Sequence, residues 1–186
     1  MAVKELGISP RRALETVLYI ASRLTKPDVH EVLKIRYFAD KLHFSEYGFP
    51  ASGDEYFAMD FGPVATNIYD LLKVARGNGS DYDARRFGSL VKGALKVDST
   101  KPHGVHVLRD ADTDFLSPSD VESIEKAIAE YGALSFEERT KLSHDQAYEE
   151  AWAIAKQKQT RRYPMALEAI AGTLPNAQEV LESLSA

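Results

Sequence analysis

The chain has 186 residues, a net charge of −5, 44% hydrophobic and 27% charged residues, and no cysteine. That length supports one domain with a real core, and the composition excludes wholesale disorder. Disulfides, thiolate catalysis and cysteine-ligated zinc are excluded, and an acidic chain has no general attraction to phosphate backbones, so nucleic acid would need a local basic patch.

No apolar run is long enough to cross a bilayer. The opening MAVKELGISPRR has no apolar core of a leader peptide, so a cytoplasmic protein is expected. Ser9-Pro10 reads as an N-cap followed by proline in the first turn, and Leu14, Val17, Leu18, Ala21 and Leu24 keep helical spacing, which predicts a helix from Pro10 to Leu24. After a break at Pro27, Asp28 and Glu31 have capping-box spacing. The helix they open, Val29 to about Phe44, is apolar nearly all round and should be the buried centre of the fold.

Residues 46–54 are turn-rich. Tyr56 to Phe61 predicts a short strand, and Gly62-Pro63 is expected to start a helix with Val64, Ile68, Leu71, Leu72 and Ala75 as its core stripe and Gly77 as its end. Asp81 to Val91 is ambiguous between loop and short helix. Ala94 to Asp98 and Val105 to Leu108 read as a β-hairpin, which must pack on helices or add the Tyr56 strand. Ser117-Pro118 opens a helix marked by Val121, Ile124, Ile128 and Tyr131. The capping pairs Ser135/Glu138 and Ser143/Gln146 open two more, the second running through Trp152. A polar, basic connector from Lys156 to Arg162 leads to short helical segments at Pro164 to Ala171 and Pro175 to Leu184. The fold class is mainly α with a small antiparallel β-sheet. The division read from the sequence is a domain over 1–162 and a helical tail over 163–186, docked on the domain or on a partner.

Chemistry-bearing residues are few. His103 and His106 lie near the hairpin turn without a third ligand, so no metal site is expected. His30, in a first helical turn, is expected to be solvated. Asp40 and His43, three apart on the central helix, could form a general base with an orienting carboxylate, but no nucleophile motif accompanies them. Adding His144 gives the alternative of a hydrolase or metal protein; the blander reading is a buried polar pair and a histidine near a cap. Trp152 reads as a core anchor. The doublets Arg85-Arg86 and Arg161-Arg162 raise a second alternative, a DNA-binding autoregulator, although neither is interleaved with aromatics. The residues alone therefore stop at a mainly helical domain with no assembled active site.

The stretch KIRYFADKLHFSEYGFPASGDEYFAMDFGPVATNIYDLL resembles the signature of Panacea domains, found in SocA-like antitoxins and related phage-associated proteins. The matching residues are Tyr37, Phe38, Ala39, Asp40, His43, Gly48, Gly53, Asp54, Ala58, Gly62, Pro63, Val64 and Tyr69. A second block, KLSHDQAYEEAW, is similar through Leu142, Ser143, His144 and Trp152. The resemblance implies a non-enzymatic protein without cofactor that binds a cognate toxin, in the SocA case as an adaptor delivering it to a cytosolic protease. Some members carry an N-terminal helix-turn-helix module, and the sequence shows none, which argues against operator binding. Most motif residues read as scaffold. Partner contact is therefore expected at less distinctive positions: the hairpin tip with Pro102, His103 and His106, and the connector and tail with Arg161, Arg162 and Tyr163.

Overall fold

The helix Val29–Tyr47 (α2) is the axis of the molecule. Val32, Ile35, Tyr37, Ala39 and Phe44 are fully enclosed although they point in different directions from it, as expected of a helix packed on every side. Asp28 Oδ1 accepts the Glu31 amide at 2.8 Å and caps the start. The end falls at Tyr47 rather than Phe44, because Gly48 (φ 79°) is the first residue suited to the left-handed cap. The computed structural model describes residues 7–185; residues 1–6, on which the expectation about a leader partly rests, lie outside them.

Around α2 lie Pro10–Ser22 (α1), Thr66–Arg76 (α3), Pro118–Tyr131 (α5) and Phe136–Ser143 (α6). The ambiguous stretch is a full helix, Asp81–Val91 (α4), capped by Ser80 and docked through Phe87 and Val91. Burying Phe87 completely contributes about 1.5–3 kcal/mol, which outweighs the weak local preference that obscured the helix. Gln146–Gln157 (α7), Leu167–Gly172 (α8) and Ala177–Ser185 (α9) complete the α-helices of the described residues.

Two small antiparallel sheets sit on this frame, giving the expected α+β class. In the first, Tyr56–Met59 (β1) is central. It pairs with Gly62–Ala65 (β2) across the two-residue turn Asp60-Phe61, and with Tyr163–Pro164 on its other edge. The expectation that Gly62-Pro63 opens a helix is thus corrected. Pro63 lies opposite Ala58 on an edge strand, where a missing N–H is tolerated. The helix begins only at Thr66. Ala65 offers no side-chain cap, and Asp54 takes over: its Oδ1 accepts the Asn67 amide at 3.0 Å and its Oδ2 the Ile68 amide at 3.1 Å.

The second sheet pairs Leu95–Val97 (β3) with Val105–Val107 (β4). It packs on α1 and α3 and does not join β1. Its tip is tied to the start of α2: the Val29 amide donates to the His103 carbonyl at 3.1 Å, and the Val105 amide to the Pro27 carbonyl at 2.8 Å.

Pro164 does not start a helix either. It belongs to the strand Tyr163–Pro164 (β5), continued by the Met165 amide donating to the Tyr56 carbonyl at 2.8 Å. From there α8 packs on α2 and α7, burying Ile170 and Ala171.

Candidate functional site

The motif residues are pins between elements. Asp40, on α2, accepts from the Arg36 guanidinium (2.8 Å), the Ser52 amide (2.8 Å), the Ser52 hydroxyl and the Tyr56 hydroxyl (2.6 Å). Arg36, wholly buried, also donates to Asp120 of α5 at 2.7 Å, so one guanidinium flanked by two carboxylates joins α2, the following loop, β1 and α5. Burying a charge is tolerable when it is paired and hydrogen-bonded in this way. Tyr37 donates to Asp145 at 2.7 Å, and that carboxylate caps α7. Gly53 (φ 64°) and Gly62 (φ 104°) occupy backbone conformations that favour glycine. At Gly62 a Cβ would also lie 2.6 Å from Ser143 Oγ and 2.8 Å from Lys34 Nζ.

Beside these pins opens a cleft of about 790 Å³. Leu33 and Lys34 of α2, Val64 of β2 and Tyr69 of α3 line it, together with the β1–β2 turn, the β3–β4 tip, the first turn of α6 and the connector before β5. Phe61 and Phe136 stand at its mouth, 57% and 39% exposed, with ring centroids 5.6 Å apart in an edge-to-face arrangement. His30 packs on Phe136 with ring centroids 4.1 Å apart and the planes tilted by 34°, and its Nε2 lies 3.0 Å from Thr140 Oγ1.

The charge of the cleft is opposite to that of the chain. Lys34, Arg76, Lys101, Arg161 and Arg162 line it against Asp28 and Asp60. Asp60 is engaged by Arg161 at 3.3 Å, and Asp28 caps α2. Among the described residues Lys34, Arg76, Lys101 and Arg162 make no ion pair. Lys34 is 1% exposed, and its Nζ donates to the Pro63 carbonyl at 2.9 Å. Burial lowers its pKa to about 7. Burial first, then the nearby Lys34 and Arg139, lower that of His30 to about 3.

Compared with known families, residues 32–153 match the one described as Antitoxin SocA-like, Panacea domain. The chain belongs to that family. No curated protein and no solved structure gives a match. The matched span contains every Panacea motif residue named from the sequence, from Tyr37 to Trp152.

Several expectations for this Panacea domain are changed by the structure. His30 is half-buried and hydrogen-bonded rather than solvated, because α6 folds over the first turn of α2. Asp40 and His43 do not pair. The His43 Nδ1 faces the Phe49 carbonyl at 2.7 Å and its Nε2 faces Ser119 Oγ at 3.0 Å. His144 stacks on Tyr148 at 4.1 Å, with Glu149 3.8 Å from its Nδ1, and its pKa is lowered chiefly by burial. Asp40, His43 and His144 therefore do not share partners. Trp152 is half-buried in the same stack, 6.3 Å from Tyr148. Among the described residues no group of three metal-ligating side chains assembles.

Of the surface residues named from sequence, Pro102, His103, Arg161 and Arg162 all line the cleft. His106 faces away to Asp98 at 2.9 Å, and Tyr163 lies in β5 beside Lys158. Sequence reasoning missed Phe61, Phe136, Lys34, Arg76 and Lys101. One signal was available: Lys34, like Arg36 and Asp40, is a charged residue on a helix whose other positions are largely apolar. The motif segment also contributes more to this surface than expected, through Asp60, Phe61, Val64 and Tyr69.

Proposed function

We propose that the chain is an antitoxin that neutralises a cognate protein toxin by direct contact, without catalysis or cofactor, in the cytoplasm. The observation that carries this reading is the family match over residues 32–153. The cleft supports it: an exposed aromatic pair over an aliphatic floor, rimmed by unpaired cations, is suited to holding part of another protein. Occlusion of the toxin and its delivery to a cytosolic protease both begin with that contact.

Co-expression with the product of the neighbouring gene is the test. That product should arrest growth alone, and this chain should restore growth and co-purify with it. A toxic neighbour that is neither rescued nor bound would overturn the proposal. The hydrolase alternative gains no support from Asp40, His43 and His144: Asp40 is bound by Arg36, Ser52 and Tyr56, His43 faces the Phe49 carbonyl and Ser119, and His144 stacks on Tyr148, so the three share no partner. The autoregulator alternative gains none from the arginine doublets, because Arg85 and Arg86 are on α4, whereas Arg161 and Arg162 line the cleft.

A further inference from the structure

We infer that the cleft receives a segment of the partner that carries acidic side chains beside a bulky apolar one. The identity of the partner as a toxin rests on the reading above; the chemistry of the segment rests on the cleft. The apolar side chain would pack against the Phe61–Phe136 pair, over Val29 and Leu33, where the floor is aliphatic and the wall is aromatic. The carboxylates would meet Lys101, Arg162 and Arg76, which face the opening and have no carboxylate of their own among the described residues.

The charge pattern selects this occupant over a basic or neutral one. A chain of net charge −5 places Arg76, Lys101 and Arg162 around one cleft without an ion pair among the described residues, while Arg161 and Asp60 engage each other and Asp28 caps α2. A segment bearing lysines would meet the unpaired Arg76, Lys101 and Arg162, so the arrangement gives specificity as well as attraction. Inside, Lys34 adds a deeply buried amine whose one hydrogen bond among the described residues is to the Pro63 carbonyl. A nucleic acid would also find cations here, but the aliphatic floor offers phosphate nothing, and the overall charge of the chain opposes it.

The test uses the full chain and two readouts. The first is binding of a fluorescein-labelled synthetic peptide alternating Glu and Leu. The same peptide with Lys in place of Glu and a labelled oligothymidylate serve as comparisons. The second is neutralisation of the neighbouring gene product. The variants are Lys101→Glu with Arg162→Glu, both at exposed positions, and Phe61→Ser; Arg85→Glu on α4 places a charge reversal away from the cleft. Thermal melts confirm that each is folded.

The acidic peptide should bind saturably and the basic one should not. The double charge reversal should weaken binding by about tenfold or more, Phe61→Ser should weaken it as well, and Arg85→Glu should leave it unchanged. No saturable binding, equal affinity for both peptides, tighter binding of the oligonucleotide, or indifference to charge reversal would each overturn the inference. So would a dimer of the chain alone that dissociates on charge reversal, because it would give the cleft to a second copy. If the double variant still neutralises the toxin as the natural chain does, the inference fails and the antitoxin reading stands. If the acidic peptide binds selectively but no toxin is rescued, the reverse holds.

Discussion

The Lys34 ammonium donates to the Pro63 carbonyl at 2.9 Å, its single hydrogen bond among the described residues. Burial without a counter-ion lowers its pKa from 10.5 to about 7. The unfolded chain therefore keeps a proton that the folded chain has lost between about pH 7 and 10.5. Stability should rise with pH across that window, and below it the full cost of burying the charge should stand. Lys34→Met should raise the melting temperature on the acid side and flatten its rise on the alkaline side. Circular-dichroism melts across the window check this; a variant less stable at acid pH would show that the amine is a net stabiliser.

His30 acts in the adjoining window. Its pKa falls from 6.5 to about 3, so acidification through that range protonates the unfolded chain first, and stability should drop as pH falls. His30→Gln should lose part of that drop. The comparison is of urea midpoints along a pH series, normalised at neutral pH.

Asp40 pairs with Arg36 and ties α2 to the following loop through Ser52 and to β1 through Tyr56. Asp40→Ala leaves the buried Arg36 with Asp120 alone and strands the Tyr56 and Ser52 donors. The expected loss is about 3–5 kcal/mol. Tyr56→Phe removes only one hydrogen bond from the same carboxylate and should cost about 0.5–1.5 kcal/mol. Equilibrium urea unfolding at neutral pH separates the two, and similar losses would contradict the central role of Asp40.

Gly62→Ala should destabilise by about 1–3 kcal/mol through its left-handed backbone alone. Ser143→Ala in the same chain should recover only part of the loss, because the new methyl would still meet Lys34 Nζ. Full recovery would assign the cost to Ser143 and not to the backbone.

Truncation after Trp152 should destabilise the domain as well as remove a surface. It takes away β5, which pairs with β1, and the buried side chains of Met165, Ile170, Leu174 and Val180. The shortened chain should melt lower and unfold with a smaller urea dependence. An unchanged melt would show that the tail adds nothing to the core.

Four helix starts were legible because an N-cap is a local device, whereas the pair Ser143/Gln146 misplaced the cap of α7, which is Asp145, Ser143 being the last residue of α6. Ser9, Asp28, Ser117 and Ser135 each accept a backbone amide three residues on. The β3–β4 hairpin was legible because its strands flank a short turn-rich loop. The strands β2 and β5 were not. Gly62-Pro63 carries the local marks of a helix start, and only pairing with β1 makes it a strand; Tyr163–Pro164 is too short to show any period. The α3 cap was invisible because Asp54 lies 13 residues before the amide of Asn67 that it accepts. The cleft was legible only in pieces, since its walls come from segments scattered from Asp28 to Arg162.

The pins and the cleft rim are different residues with different freedoms. Asp40, Arg36, Tyr37 and Asp54 are enclosed, and a change at any of them is felt by several elements at once. Phe61 and Lys101 sit on turns, and Arg162 on a connector, all largely in water. Substitution on the rim therefore leaves folding nearly untouched while altering which surface can dock. Under the proposed reading, a domain built this way would exchange one client for another through a handful of superficial changes, on an interior that stays the same.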